Sequence, residues 1–141
     1  MVTIHRSRAI AAPADRVWAL MRDFGGPDRW APGVLGAVEL RGDAETVGSE
    51  RLFLAEGEVV NIERLYELDD EARVTRYGIV DGRLPMLAHV ATLRVSEAGA
   101  GAVAEWIAEF ETDEAIAGPL TVQLEQIYDA ALEQLALQTE G

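Results

Sequence analysis

The sequence predicts an α+β fold, in which a curved, seven-stranded antiparallel sheet wraps around a long C-terminal helix and short helices follow the first strand. Three observations lead to this prediction. Apolar and polar residues alternate with period two in successive segments up to residue 112. Short, turn-like links separate these segments, which favours antiparallel neighbours because parallel strands need long crossovers. The final segment then changes to a helical period and must pack its apolar stripe on the sheet.

The first predicted strand is Val2–Ile10, where the alternation is regular. The six further strand candidates are Val34–Arg41, Ser49–Ala55, Glu58–Leu68, Ala72–Val80, Leu84–Ser96 and Ala102–Thr112. Links such as Gly42-Asp43 and Asp81-Gly82 consist of residues that favour tight turns. The strands should therefore follow one another as an antiparallel meander.

Two helical regions are predicted. Pro13 suits a helix start, and Val17, Leu20, Met21 and Phe24 share one helical face before Gly25-Gly26-Pro27 ends it. In the C-terminal region, Asp113 is a candidate N-cap, and Gly118-Pro119 marks either a kink or the true helix start. The apolar stripe of this long helix consists of Ile116, Leu120, Leu124, Ile127, Ala131 and Leu135.

Composition excludes several classes of function. The 141 residues suit a single domain, residues 1–141, and the net charge of −13 opposes binding to nucleic acid or to an anionic membrane surface. The chain has no cysteine and only two histidines, far apart in sequence, so we expect no metal site. It also has no glycine-rich phosphate loop, so we expect no cofactor. We expect a cytoplasmic monomer or homodimer, because neither a signal peptide nor a membrane span is present.

Alternation also predicts which side chains point inward. In the last strand Trp106, Ala108 and Phe110 share a face with Ala104, opposite a glutamate-rich face that should meet water. Leu87 and His89 share a face of the preceding strand, and Tyr77 and Ile79 share a face of the strand before that. The Glu58–Leu68 strand is ambiguous, because its two faces are almost equally apolar; hydrophobicity alone slightly favours burial of Val60, Ile62, Tyr66 and Leu68.

The chain contains, in order, the segments AAPADRVWALMRDF, Trp30 and Pro32, VGSERLFL, VNIERLYELDDEARVTRYGIVDGRLP and EWIAEFE. These segments and the order of the predicted elements resemble one superfamily over nearly the whole chain. It comprises the lipid-transfer START domains, the birch-pollen allergen and the bacterial polyketide cyclase/dehydrase group, together called the SRPBCC superfamily. The resemblance implies the helix-grip fold and an internal ligand cavity. It is less specific for function, because this fold hosts carriers, receptors, cyclases and chaperone activators.

The resemblance also implies that Glu63 points into the cavity with Arg51 beside it, against the slight preference of hydrophobicity, and we follow the resemblance here. A buried carboxylate needs such a partner. The middle of the chain is also similar to plant abscisic-acid receptors. Their gate loop is longer than Ala55-Glu56-Gly57, and their ligand-binding lysine falls near Gly33 or Val34 here, so a hormone-receptor function is rejected.

The expected ligand is a small hydrophobic or aromatic molecule. Candidate catalytic residues are His89, Glu63 and Tyr77. Candidate ligand-binding residues are Arg51, Phe53, Asn61, Ile79, Leu84, Leu87, Trp106, Ala108, Phe110, Leu120, Leu124 and Tyr128. Three functions stay open: a polyketide cyclase or dehydratase that uses these groups for proton transfer, a non-catalytic carrier or sensor of a lipid, terpenoid or aromatic metabolite, and a protein-interaction module.

Overall fold

Seven strands form one antiparallel sheet in the computed structural model, which describes residues 1–141. The order across the sheet is β1-β7-β6-β5-β4-β3-β2, so β1 pairs with the last strand and every other strand pairs with its neighbours in sequence. This confirms the predicted meander. The strands are β1 (Val2–Ile10), β2 (Val38–Arg41), β3 (Glu50–Ala55), β4 (Glu58–Asp69), β5 (Val74–Gly82), β6 (Leu87–Ala98) and β7 (Gly101–Glu111).

Three helices complete the fold: α1 (Ala14–Met21), α2 (Pro27–Trp30) and α3 (Glu114–Thr139). Asp113 caps α3, because its carboxylate accepts a hydrogen bond from the backbone N–H of Ala115 at 2.9 Å. The N-cap prediction is therefore confirmed, and the alternative start at Gly118-Pro119 is wrong. Pro119 lies inside the helix.

Four strands begin later than predicted, and two of them, β2 and β6, do so by three residues or more. The predicted strand start at Val34 is wrong, because the N–H groups of Val34 and Leu35 both donate to the Ala31 carbonyl and close a turn. Before β6, the Met86 N–H donates to the Leu84 carbonyl, and Pro85 has no N–H for a strand ladder. Both segments are loops, and both lie at the same end of α3.

The core fills one end of the space between the sheet and α3. In the C-terminal half of α3, Ala131, Leu132 and Leu135 are at most 1% exposed, whereas Leu120 and Leu124 in the N-terminal half are only partly buried. Helix α1 packs Val17, Trp18 and Met21 into the filled end. Side chains therefore pack closely around the C-terminal half of α3, the filled end, and loosely around its N-terminal half, the loosely filled end. No helix of this fold is long and apolar enough to span a membrane.

Candidate functional site

A cavity of about 310 Å³ occupies the loosely filled end, between the sheet and α3. Strands β3 to β7 supply one wall, α3 supplies the opposite wall, and the two loops before β2 and β6 form the rim. Most of the lining is apolar, with a few polar groups, as in many small-molecule sites. The lining residues are Val34, Leu35, Gly36, Phe53, Glu63, Tyr77, Ile79, Leu84, Met86, His89, Trp106, Leu120, Gln123, Leu124, Ile127 and Tyr128.

The face of β4 that carries Glu63 points inward. Asn61, Glu63 and Leu65 are 7%, 7% and 1% exposed, whereas Tyr66 is 41% exposed. The orientation taken from the resemblance is thus correct, and the slight preference of hydrophobicity for the other face is wrong. The reason is local: the ion pair with Arg51 offsets much of the cost of burying the carboxylate, and the hydropathy pattern does not register the pairing.

Arg51 neutralises Glu63 across the β3–β4 ladder. The two residues are directly opposite in register, and the guanidinium Nε and Nη2 lie 2.8 and 2.7 Å from Glu63 Oε1. A third guanidinium nitrogen, Nη1, donates to the Phe24 carbonyl at 3.2 Å. The cation also lies over the rings of Phe24 and Tyr77, with its central carbon 4.4 and 4.6 Å from their centroids. Arg51 therefore does not line the cavity, contrary to its prediction as a ligand contact. It lies behind the cavity, where it borders a small void of about 50 Å³.

The second oxygen of Glu63 is held less firmly. Glu63 Oε2 accepts one hydrogen bond, from Asn61 Nδ2 at 3.3 Å. Asn61 itself is buried but does not line the cavity, contrary to its prediction as a ligand contact, because its amide is turned to the carboxylate. Glu63 thus contributes one weakly bonded carboxylate oxygen near the cavity surface.

His89 lines the cavity as a neutral hydrogen-bond donor. Its Nδ1 accepts the backbone N–H of Ile79 at 3.2 Å, so the proton of the neutral ring resides on Nε2. Burial lowers the pKa of His89 to about 4. At neutral pH the ring is therefore uncharged, and its one free nitrogen already carries a proton.

Two tyrosine hydroxyls line the same space. Burial raises the pKa of Tyr77 well above the usual value, and the negative charge of Glu63 raises it further. The pKa of Tyr128 is raised by the same two causes in the same order. Both phenols consequently keep their protons and act as hydrogen-bond donors.

Trp106 connects the sheet to α3. Its ring stacks on Tyr128, with centroids 3.8 Å apart and planes 7° from parallel, and it meets Trp30 edge-on at 5.8 Å. The indole Nε1–H is buried and has no hydrogen-bond partner. A buried donor without a partner is costly, and surrounding side chains cover this atom, so a ligand in the cavity reaches it only after a local rearrangement.

Of the other predicted contacts, Phe53, Ile79, Leu84, Leu120 and Leu124 all line the cavity. Ala108 and Phe110 point inward as predicted, at 0% and 1% exposed, but neighbouring side chains cover them completely and they form core instead of cavity wall.

The prediction that Leu87 points inward is wrong: its side chain is 72% exposed. A bulge in β6 causes this, since the register with β7 shifts between Leu87 and Val90. Ala88 within the bulge adopts φ of +52°, a left-handed conformation that is uncommon for alanine. The bulge reverses the direction of Leu87 relative to His89, and strict alternation cannot anticipate it.

Six lining residues were not predicted: Val34, Leu35, Gly36, Met86, Gln123 and Ile127. The helical periodicity of the sequence could have identified Gln123 and Ile127 as lining residues, because they lie one turn apart and adjoin Leu120 and Leu124 on the same helix face. The loop residues had no comparable signal, because Val34–Gly36 was assigned to a strand.

The cavity thus contains several hydrogen-bond donors and a single carboxylate. Tyr77, Tyr128 and His89 each offer an O–H or N–H group, the Trp106 N–H is covered by its neighbours, and Glu63 is paired with Arg51. No group of three or more histidine, aspartate or glutamate side chains is placed to hold a metal ion.

Comparison with solved structures identifies the same architecture in proteins from distant organisms. A protein from Thermobifida fusca, solved by NMR in solution, is 36% identical, with a TM-score of 0.87 over 96% of this chain and 91% of its own. The major latex-like protein 151 of Panax ginseng is 16% identical, with a TM-score of 0.79 over 99% and 98% of the two chains. The dimeric Aha1 of Colwellia psychrerythraea is 13% identical, with a TM-score of 0.75 over 99% and 97%. The last two likenesses concern the fold alone.

The family model described as polyketide cyclase/dehydrase and lipid transport matches residues 1–140, almost the entire chain. This agrees with the resemblance found in the sequence and with the helix-grip architecture. The chain belongs to the polyketide cyclase/dehydrase and lipid transport family.

Proposed function

We propose that this protein binds a small, neutral, largely apolar molecule in the cavity and releases it unchanged, as a carrier or sensor. The observation that carries the proposal is the donor set: three N–H or O–H groups, those of Tyr77, Tyr128 and His89, border a largely apolar space. A ligand that fits must offer hydrogen-bond acceptors, such as the oxygens of a ketone, quinone or lactone.

The charge balance supports a neutral ligand. Glu63 and Arg51 cancel each other at the inner end of the cavity, so neither attracts an ion. A charged ligand would lose its hydration without a counter-charge to replace it. Flat ligands are favoured further, because the stacked rings of Trp106 and Tyr128 present an aromatic surface.

The state of His89 supports release of the ligand without reaction. A general base needs an unprotonated nitrogen within reach of the substrate and a pKa near the working pH. In His89 the unprotonated Nδ1 is bonded to the Ile79 N–H, and the pKa of about 4 makes the ring a weak base. The geometry therefore favours holding a ligand over proton abstraction by this histidine.

Native mass spectrometry tests the proposal directly. The purified protein would be incubated with a panel of aromatic ketones, quinones and terpenoids, and the retained molecules weighed before and after release. We expect a one-to-one complex whose ligand leaves with its mass unchanged. Release of a molecule of altered mass would contradict the carrier function, and failure to retain any member of the panel would contradict ligand binding.

The contribution of the donors can be measured with two matched variants. Tyr128→Phe removes one hydroxyl from the cavity, and Tyr66→Phe removes one from the outer surface, where Tyr66 is 41% exposed. Tyr128→Phe should weaken binding of a ketone about threefold to tenfold, the value of one net hydrogen bond, and leave binding of the matching hydrocarbon almost unchanged. Equal effects of the two variants would contradict the donor role.

One observation favours a second candidate, a cyclase or dehydratase. Glu63 Oε2 accepts only the long bond from Asn61, so this oxygen could take a proton from a carbon beside a bound carbonyl. Glu63→Gln distinguishes the two functions. It should abolish turnover if Glu63 is the base, and it should alter only binding if the protein is a carrier.

A further inference from the structure

An apolar groove runs along the outside of the cavity mouth, between the segment before β6 and the start of α3. We call it the outer groove; it is lined by Leu84, Pro85, Met86, Leu87, Glu111, Thr112, Asp113 and Ile116. Three of its apolar side chains are open to solvent: Leu87 is 72% exposed, Leu84 46% and Ile116 38%. Exposed apolar side chains gathered in one place, on a chain of net charge −13, indicate a binding surface.

Backbone strain places Leu87 in this groove. In a regular strand Leu87 would lie on the same face as His89 and point into the cavity. The bulge at Ala88, with φ of +52°, turns it outward instead. Such conformations are unfavourable for residues other than glycine and are concentrated at ligand sites, so the outward position of Leu87 is maintained against a cost.

The outer groove adjoins the cavity. Leu84 and Met86 line both spaces, so these two side chains are all that the two linings share. The segment that carries them is tied to the end of β7, because the Thr112 hydroxyl donates to the Pro85 carbonyl at 2.6 Å. A chain that leaves the cavity past Leu84 therefore stays in contact with apolar side chains that line both spaces.

We propose that the outer groove binds the alkyl or prenyl chain of a ligand whose acceptor-bearing ring lies in the cavity. The inference rests on the proposed function and specifies its ligand class. A cavity of about 310 Å³ is at the lower end of the range for small-molecule sites, so a ring with a long substituent exceeds it. Glu111 and Asp113 border the groove, and their charges favour an uncharged chain over one that ends in a carboxylate.

A homologous series of phenyl ketones, from acetophenone to decanophenone, tests the inference. Binding would be measured by titration calorimetry with the full-length protein. In the wild type we expect affinity to rise about twofold to fourfold for each methylene group placed in the groove, since each buried methylene contributes a constant increment. In the double variant Leu87→Ser/Ile116→Ser, the preference for decanophenone over acetophenone should fall at least tenfold, while acetophenone itself binds as in the wild type.

Leu137→Ser is the matched control, because Leu137 is 59% exposed on α3 but lies outside both spaces. It should keep the full chain-length preference. If the double variant keeps the preference for decanophenone over acetophenone, the outer groove does not bind the ligand chain, even if acetophenone binds well. Failure of acetophenone and all longer ketones to bind would overturn the proposed function itself.

Methyl NMR spectra distinguish a ligand chain from a second copy of the protein as occupant. Decanophenone, but not acetophenone, should shift the methyl signals of Leu87 and Ile116. If those signals instead shift with protein concentration alone, and sedimentation shows a dimer that the double variant dissociates, the groove is a subunit interface and the inference is wrong.

Discussion

Arg51 and Glu63 show how a charged residue can belong to the interior of this protein. Their side chains are only 8% and 10% exposed, and each is the other's sole ionic partner. The guanidinium also contacts the Phe24 carbonyl and the Phe24 and Tyr77 rings, so the pair joins the loop after α1 to β3, β4 and β5. Arg51 therefore organises the inner end of the cavity without occupying the cavity itself.

Removing one member of this pair should destabilise the protein more than removing both. Arg51→Met leaves the Glu63 carboxylate buried without a counter-charge, and we expect a loss of about 3–5 kcal/mol in the free energy of unfolding. Arg51→Met/Glu63→Leu removes both charges and should recover much of that loss. Urea unfolding of the wild type, the single variants Arg51→Met and Glu63→Leu, and the double variant measures the loss in each. A double variant whose loss equals the sum of the two single losses would refute the coupling.

His89 should make stability depend on pH. The unfolded imidazole binds its proton near pH 6.5 and the folded one near pH 4, so the unfolded state binds more protons between these values. The free energy of unfolding should therefore fall as pH drops from 6.5 to 4, by at most about 3 kcal/mol from this residue. His89→Gln should lose less stability over that interval. Identical pH profiles of urea midpoints in wild type and variant would exclude this assignment.

At the scale of elements, the bulge in β6 is the clearest departure from regular geometry. Ala88→Gly should stabilise the protein by up to about 1 kcal/mol, because glycine adopts a positive φ without steric cost. Ala98→Gly, at the far end of the same strand where φ is not positive, should destabilise it by about 0.5–1 kcal/mol. Thermal unfolding measures the change in stability for each variant. If both variants change the stability in the same direction, the backbone at Ala88 is not strained.

The two halves of α3 should differ in local stability. The N-terminal half is only partly buried and contains Gly118 and Pro119, and the proline cannot donate the hydrogen bond of a regular helix. Amide hydrogen exchange followed by mass spectrometry should therefore be faster in residues 114–124 than in residues 128–139. A bound ligand should slow exchange in the first half only. Uniform protection along α3 would show that the cavity wall is as rigid as the core.

The sequence predicted the fold better than it predicted the site. The alternation in β7 and the helical stripe of α3 each have a single clear period, so strands, helix and inward faces followed from them. The inward position of Glu63 needed the family resemblance, because an ion pair is invisible to hydropathy. The outward direction of Leu87 and the loop at Val34–Gly36 are not predictable from alternation. The first depends on a bulge and the second on a turn, and both form through backbone hydrogen bonds that leave no pattern in the sequence.

At the scale of the whole molecule, most arginines form ion pairs with acidic side chains. Ten of the twelve arginines lie within 4 Å of a carboxylate, and several of these pairs join distant elements, as Arg6 of β1 does with Asp129 of α3. Exposed pairs contribute little individually. Their effect here is to leave the excess negative charge spread over the exterior, which favours solubility and repels polyanions.

The uneven filling between the sheet and α3 has a volumetric consequence. The side chains around the cavity have fewer packing partners than those of the core, and unfolding in water eliminates such loosely packed volume, so hydrostatic pressure favours unfolding. The protein without ligand should consequently unfold at lower pressure than the protein with a ligand that fills the 310 Å³, and the volume change of unfolding should become less negative when the ligand binds. Compression begins where the structure is least dense, so pressure should first loosen the end that surrounds the N-terminal half of α3.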